Sequence, residues 1–259
     1  MPKSFTRLDK LLVDRGLVPS RERAQALILS AKVLLDGQRA TKAGLRVSSE
    51  SRIELIGDDI PYVSRGGIKL EHAIRTFKVD VAGRVAMDVG ASTGGFTDCL
   101  LQSGAKRVYA VDVGYGQLDW KIRQDERVVV LERQNIRYLP TDLVPEPIQV
   151  AVVDASFISL KLVLPPLIRF LELGSTLIAL IKPQFEAGRS NVGKGGVVRD
   201  PAVHDQVCDS LVEFSRELGF SVRGVTPSPI LGPKGNREFL MVAVYGGNTI
   251  AADGPSHAP

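Results

Sequence analysis

Six apolar runs punctuate the chain from residue 85 onward: 85–89, 108–111, 128–131, 149–153, 176–181 and 239–244. Each is short and almost free of polar interruption, the pattern of strands covered on both faces. Between the later runs apolar residues return at helical spacing, over 160–172 and about 203–218. Ahead of the first run, Leu70, Ala73, Ile74 and Phe77 share one face of a helix that Ser64-Arg65-Gly66-Gly67 leads into. This alternation predicts an α/β fold: a mostly parallel, doubly wound, Rossmann-like sheet with helices on both faces.

The first quarter follows a different pattern. Leu8, Leu11 and Leu12 mark one side of a short helix that Arg7 opens and Gly16 can end. Ser20 is a suitable N-cap for a second helix, along which Ala24, Leu27, Ile28 and Ala31 follow i, i+3, i+4, i+7. Residues 32–39 read as a hairpin-like strand and turn, and 52–56 as a closing strand. The polar, Pro-containing stretch 57–62 is the best linker candidate. The predicted division is therefore a small domain over 1–58, a linker over 59–64, a large domain over 65–246 and a disordered tail over 247–259. Charge sharpens it: residues 1–65 hold 12 Lys and Arg against 8 Asp and Glu, while the 21 of each sign elsewhere cancel. A small basic module beside a neutral α/β domain predicts a polyanionic partner. Arg21 and Arg23 fall in the first turn of the second helix, where a cation opposes the dipole, so a reason outside helix stability is needed.

The succession R-L-D-K-x-L, S-R-x-x-A-x-x-L-I and V-x-x-D-G across these residues resembles the S4 RNA-binding domain, a small α+β fold. The resemblance implies that Arg7, Lys10, Arg21 and Arg23 meet RNA, with Arg65 at the head of the next helix joining them. Ala31 departs from it, standing where S4 domains usually have glycine.

In the large domain the most informative stretch is 85–98, V-A-M-D-V-G-A-S-T-G-G-F-T-D: a strand, a glycine turn and the start of a helix. Asp88 lies on that strand, and 24 residues later a second strand ends in Asp112. Two such carboxylates around a glycine turn are how α/β folds hold an adenosine ribose. The turn is G-A-S-T-G-G, without the G-x-G-x-x-G that receives a pyrophosphate. S-adenosylmethionine has no phosphate and is the predicted cofactor.

Four polar residues fall where this topology gathers them at the carboxyl edge of the sheet. Asp154 follows one strand, Lys182 follows the next, and Lys69 opens the helix before the first strand. Glu238 immediately precedes the last run, and an antiparallel last strand would bring it to the same edge. Such a set suits methyl transfer to a ribose hydroxyl. The sulfonium donor is already activated, so the protein has to align the nucleophile and remove its proton. Lys182 is expected next to the hydroxyl, as a cation or as a neutral base. Lys69 is expected beside it, because like charges lower each other's pKa, with Asp154 and Glu238 orienting the amines.

Residues 62–70 (Y-V-S-R-G-G-I-K-L), 88–97, 154–159 (D-A-S-F-I-S) and 182–186 (K-P-Q-F-E) add to the S4-like module. Together, from residue 7 to about 245, they resemble the TlyA family, hemolysin-type S4-domain ribosomal RNA methyltransferases with an FtsJ-like catalytic domain. The resemblance implies methylation of the 2′-hydroxyl of cytidines in 16S or 23S ribosomal RNA, by a tetrad of Lys69, Asp154, Lys182 and Glu238. It names ribosomal RNA or ribosomal subunits as the partner, and it implies a link between lost methylation and capreomycin resistance. For the cofactor it carries over onto Asp88, Gly90, Ala91, Ser92, Gly94, Gly95 and Phe96, with Asp112 at the ribose and Asn135 on the adenine side.

Other classes fit less well. No apolar run approaches the ~18 residues that span a bilayer. The segment 160–171 is interrupted by Lys161, Pro165, Pro166 and Arg169, which disfavours the membrane-active hemolysin that the family name suggests. A non-catalytic ribosome-binding or assembly factor would need neither the four-residue set nor the glycine turn. A nicotinamide-dependent oxidoreductase lacks a histidine at a strand end, since His72, His204 and His257 fall on helices or the tail. Cys99 and Cys208, far apart in helical patterns, suggest neither a disulfide framework nor a zinc site. No metal, membrane or obligate protein partner is expected, and the cytoplasm is the predicted compartment. The glycine-rich, charged stretch 186–200 reads as a mobile loop beside the site.

Overall fold

The computed structural model describes residues 5–18, 20–55, 60–188 and 191–247. The chain divides into two compact units, Met1–Asp59 and Ile60–Pro259. Residues 57–59 of the expected linker, 189–190 of the expected loop and the expected tail from 248 onward lie outside the described residues.

In the smaller unit β1 (Phe5–Arg7) runs directly into α1 (Leu8–Asp14). Then come α2 (Arg21–Leu29), β2 (Val33–Leu35), β3 (Gln38–Ala40), β4 (Arg46–Ser48) and β5 (Ile53–Leu55). β1 pairs antiparallel with β4, and β2 lies between β3 and β5. β1 and β4 leave no trace in the apolar pattern, because three residues are too few to show alternation. Leu8, Leu11, Leu12, Leu27, Ile28 and Val33 form the core, so the two helices meet through the residues their spacing marked. Ser20 caps α2, its Oγ accepting from the Arg23 N–H at 3.2 Å. The helix ends in a Schellman turn: the Lys32 N–H donates to the Leu27 carbonyl at 2.9 Å and the Ala31 N–H to that of Ile28 at 3.0 Å. Ala31 makes that turn at φ +54°, so the departure from the S4 pattern is an alanine in a left-handed conformation that favours glycine.

In the larger unit α3 (Gly66–Phe77) precedes β6 (Val85–Val89). There follow α4 (Gly95–Gln102), β7 (Arg107–Asp112), α5 (Trp120–Arg123), β8 (Val128–Glu132), β9 (Ile148–Val153) and α6 (Leu160–Leu167). β10 (Leu171–Ile181), α7 (Pro183–Glu186), α8 (Pro201–Glu217), β11 (Phe220–Pro227) and β12 (Phe239–Tyr245) complete it. The strands form one seven-stranded sheet in the order β11-β12-β10-β9-β6-β7-β8. β6 to β10 run parallel, and β12 is inserted antiparallel between β10 and β11. Successive residues of a strand point to opposite faces and so enter separate cores. Met87, Tyr109 and Ala179 pack with α6 and α8, whereas Ala86, Ala110 and Ile178 pack with α3 and α4. The doubly wound α/β fold expected from the pattern is thus the one observed. The chain advances from β6 to β8 on one side and returns at β9 on the other. That switch point opens the cleft in which such sheets take ligands.

Two expectations are corrected. The helix expected over 160–172 ends at Leu167 in a single 3₁₀ turn over Ile168–Phe170, and the chain is strand from Leu171. Pro165 and Pro166 lie inside α6 and have no N–H to return to the carbonyls of Lys161 and Leu162, which weakens the helix's last turn. β11 is a strand missing from the apolar runs. It lies at the sheet edge, and its register slips between Val222 and Gly224, which destroys period-two alternation. Among the described residues no helix is long and apolar enough to cross a membrane.

Candidate active site

The sheet brings the four polar candidates to one edge. Val89 pairs with Val153, and the Asp154 N–H donates to the Val89 carbonyl at 2.9 Å, so Gly90 and Asp154 leave the sheet side by side. Ile181 pairs with Phe239, which sets Lys182 opposite Glu238 at the start of antiparallel β12. Lys69 reaches the edge from the first turn of α3.

There the four form two ion pairs. Lys69 Nζ lies 2.5 Å from Glu238 Oε2, and Lys182 Nζ lies 2.5 Å from Asp154 Oδ1. The second contact is an ion pair without hydrogen-bond geometry, and Asp154 Oδ1 accepts no hydrogen bond among the described residues. Lys182 instead donates to Ser156 Oγ at 2.8 Å. Both lysines are 8% exposed and Glu238 is 2% exposed, so these charges are compensated by one another and hardly by water. The lysines, expected to act on each other, each have a carboxylate partner. Ser156 and Gly232 complete the arrangement and were outside the sequence-derived set. A Cβ at Gly232 would overlap the Glu238 carboxylate, a close approach that apolar patterning cannot reveal.

The glycine turn lies against this edge. Gly90 has φ +89°, and a Cβ on it would meet the Asp154 carbonyl oxygen at 2.6 Å, so both conformation and space demand glycine there. At the end of β7, Asp112 accepts from the Ser92 N–H at 2.7 Å and the Gly114 N–H at 2.6 Å. A cavity of about 470 Å³ opens between these groups, lined by Gly90, Ser92, Asp112, Asn135, Asp154 and Phe157, with Val113, Ile136 and Val163 among its apolar walls. A second cavity of about 270 Å³ shares Gly90, Ser92 and Asp154 with the first and adds Lys69, Arg65, Ala91, Gly95 and Phe96. Gly94 turns left-handed at φ +94° just before α4.

Asp88 lines neither cavity. It is fully buried beneath the turn, where its Oδ2 accepts from Thr97 Oγ1 at 2.7 Å and its Oδ1 has no partner. Burial pushes its carboxyl up to about 7; the Thr97 bond opposes that rise and the nearby Asp154 charge adds to it. Phe157 is 90% exposed, has φ +63°, and sets its ring 5.1 Å from that of Phe185. Arg65 donates to the Leu231 carbonyl at 3.1 Å. Among the described residues no cluster of His, Cys, Asp or Glu could hold a metal ion.

In the smaller unit the basic candidates have a structural partner. Asp9, its side chain shielded from water, accepts from Arg7 Nε at 3.0 Å and Nη2 at 2.9 Å, from Arg21 Nη2 at 3.0 Å, and from Gln25 Nε2 at 3.0 Å. The Arg7 guanidinium, with Gln25 and Arg21, holds its carboxyl well below the usual range against the opposing effect of burial. This supplies the reason, missing at the level of sequence, for Arg21 at a helix N-terminus. Arg7 and Arg21 remain half exposed, Lys10 is exposed, and Arg23 is partly buried.

Residues 62–245 match the family model of FtsJ-like methyltransferases, and residues 6–53 that of S4 domains. The Bacillus subtilis protein YqxC, a candidate rRNA methyltransferase by name, is 51% identical over 93% of this chain and 86% of its own length. The 16S/23S rRNA (cytidine-2′-O)-methyltransferase TlyA of Mycobacterium tuberculosis is 45% identical over 91% of this chain and 88% of its own. A solved structure from Streptococcus thermophilus, described as a candidate hemolysin, superposes with a TM-score of 0.73 at 42% identity, covering 97% of this chain and 93% of its own.

Proposed function

Because the chain belongs to the FtsJ-like methyltransferase family and carries an S4 domain ahead of the catalytic unit, we propose that it methylates the 2′-hydroxyl of a cytidine in ribosomal RNA. S-adenosylmethionine is the methyl donor. The observation that carries this reading is the pairing of Lys182 with Asp154 and of Lys69 with Glu238 on the sheet edge that also bears the glycine turn. The name of the Mycobacterium tuberculosis relative supplies the nucleoside and the RNA class. In this reading residues 1–58 dock the RNA through Arg7, Lys10, Arg21 and Arg23, and residues 65–246 carry out the transfer. The work is then cytoplasmic, where ribosomal subunits are.

The cavities fit the cofactor. About 470 Å³ suits a nucleoside. Asp112 would hold the ribose hydroxyls, since each of its oxygens has a lone pair beyond the one given to a backbone N–H. Asn135 and Ile136 would flank the adenine. Gly90, Ala91, Ser92, Gly94, Gly95 and Phe96 would shape the turn for the methionine part, with Asp88 bracing it from below. When bound, the cofactor supplies an activated methyl group, so the protein need not create an electrophile.

Lys182 stands next to the hydroxyl. Its ammonium stabilises the negative charge that develops on the ribose oxygen as that oxygen attacks, an effect strengthened where water is excluded. The hydroxyl proton passes to the Asp154 carboxylate that pairs with Lys182, since an ammonium has no lone pair to accept it, and Ser156 keeps the amine in register. Lys69, fixed by Glu238, and Arg65 line the second cavity, where the sugar and its flanking phosphate enter.

Transfer of tritiated methyl groups to 30S and 50S subunits lacking the modification tests this. Parent protein should label RNA and Lys182→Ala should not, while S-adenosylhomocysteine affinity stays within about threefold, because a residue acting on the nucleophile alone leaves cofactor binding intact. Equal labelling by both proteins would remove Lys182 from the chemistry. No label on either subunit despite cofactor binding would refute the proposed acceptor.

A further inference from the structure

Beside the catalytic edge the larger unit has a third concavity, about 270 Å³, whose lining includes Arg199, Lys234 and Arg237. All three side chains are exposed, and among the described residues none is ion-paired with a carboxylate. Asp200, next in sequence to Arg199, is turned to cap α8, accepting from the Ala202 N–H at 2.9 Å. Glu238, next to Arg237, is buried and committed to Lys69.

The wall that carries these cations is fixed. Asn236, 3% exposed, donates to the Gly196 carbonyl at 3.0 Å and the Pro233 carbonyl at 3.1 Å, and accepts from the Val198 N–H at 3.2 Å. One buried amide thus clamps the 193–198 turn to the 232–237 loop. His204, buried at the base, lies 3.1 Å from the Val198 carbonyl through Nε2 and tilts its ring onto Phe239. Three like charges held in one rigid concavity repel each other, and an anion placed among them removes that repulsion.

Its position identifies the anion. Pro233 lines the cavity that holds Lys69 and Asp154, and Lys234, the next residue, lines the basic one. An RNA strand whose ribose sits at Lys182 continues into its neighbouring phosphates. We propose that Arg199, Lys234 and Arg237 form a phosphodiester subsite that grips the RNA backbone beside the methylated nucleotide. This rests on the proposed RNA substrate and adds to it a backbone contact made by the catalytic unit itself.

The test uses the full chain and deproteinised ribosomal RNA, with retention measured across a range of KCl concentrations. The triple variant Arg199→Ala, Lys234→Ala, Arg237→Ala should bind about tenfold more weakly, with the log–log salt slope reduced by ~0.7 for each phosphate released from a single strand. Its KM for subunits should rise while kcat changes little, and Lys234→Arg should behave as the parent. S-adenosylhomocysteine binding, read by calorimetry, reports that the variant is folded. A folded triple variant with the parent's affinity and slope would overturn the subsite and leave the methylation reading untouched. A parent protein that binds RNA and transfers no methyl would overturn that reading, while the difference in slope would still decide the subsite.

Discussion

Lys69→Met takes the ammonium away from a Glu238 side chain that is 0% exposed, the Lys69 side chain being 10% exposed. Removing one partner of a buried pair costs about 3–5 kcal/mol, because the other charge stays buried without compensation. Nothing nearby takes over, since Glu238 Oε1 already has no hydrogen-bond partner among the described residues. Adding Glu238→Gln discharges the site, and the double variant should return to within about 1–2 kcal/mol of the parent. Urea unfolding followed by circular dichroism reads the difference. With a slope of about 2–3 kcal/mol/M, the midpoint of Lys69→Met should fall by about 1–2 M and that of the double variant by less than about 1 M. Methyl transfer should follow a different order, with both variants losing at least ~100-fold in kcat/KM, because charge neutrality restores folding and not the positioned ammonium. If Lys69→Met unfolds within about 1 kcal/mol of the parent, the pair is screened by water and the burial argument fails. A double variant that methylates like the parent would take the pair out of the proposed machinery.

Two further outcomes can be checked on purified protein. Ala31→Gly should stabilise the smaller unit by about 1 kcal/mol, since the left-handed conformation at φ +54° penalises alanine; a lower melting temperature would contradict the turn geometry. Asp88, raised by burial to about 7, binds its proton more tightly in the folded than in the unfolded chain. Its contribution is therefore fully present below the unfolded carboxyl value and lost as pH rises through about 7. Asp88→Asn should flatten that part of the pH–stability profile relative to the parent, and parallel profiles would show that Asp88 does not titrate there.

The central strands were legible because β6, β7, β9 and the end of β10 are buried on both faces, where continuous apolar runs are the physical requirement. β11 was not, because an edge strand with Arg223 and a register slip has no such requirement. Pro165 and Pro166 were visible in the sequence as poor membrane helix residues, and the same two prolines weaken the last turn of α6. The sheet edge could be inferred for Asp154 and Lys182 from the strands they follow. Which lysine meets which carboxylate could not, since that depends on β12 entering antiparallel and placing Glu238 across from Lys182. Nor do chain patterns disclose that Asp9 is the partner of Arg7 and Arg21, a pairing that needs α1 and α2 packed together.

Asp9 engages two N–H groups of Arg7 and one of Arg21. A guanidinium carries five donors in a planar fork, so each arginine stays anchored inward with donors left over for an outside anion. Lysine at position 7 or 21 would preserve the field around the small unit and its net charge, yet an ammonium on a flexible stem cannot reproduce that two-sided geometry. Basicity and architecture are therefore locked together at this hub. In the proposed function, a substitution of Arg7 or Arg21 that tunes the grip on RNA also acts on the fold of the small unit, and lineages drifting at either arginine would be constrained by both at once.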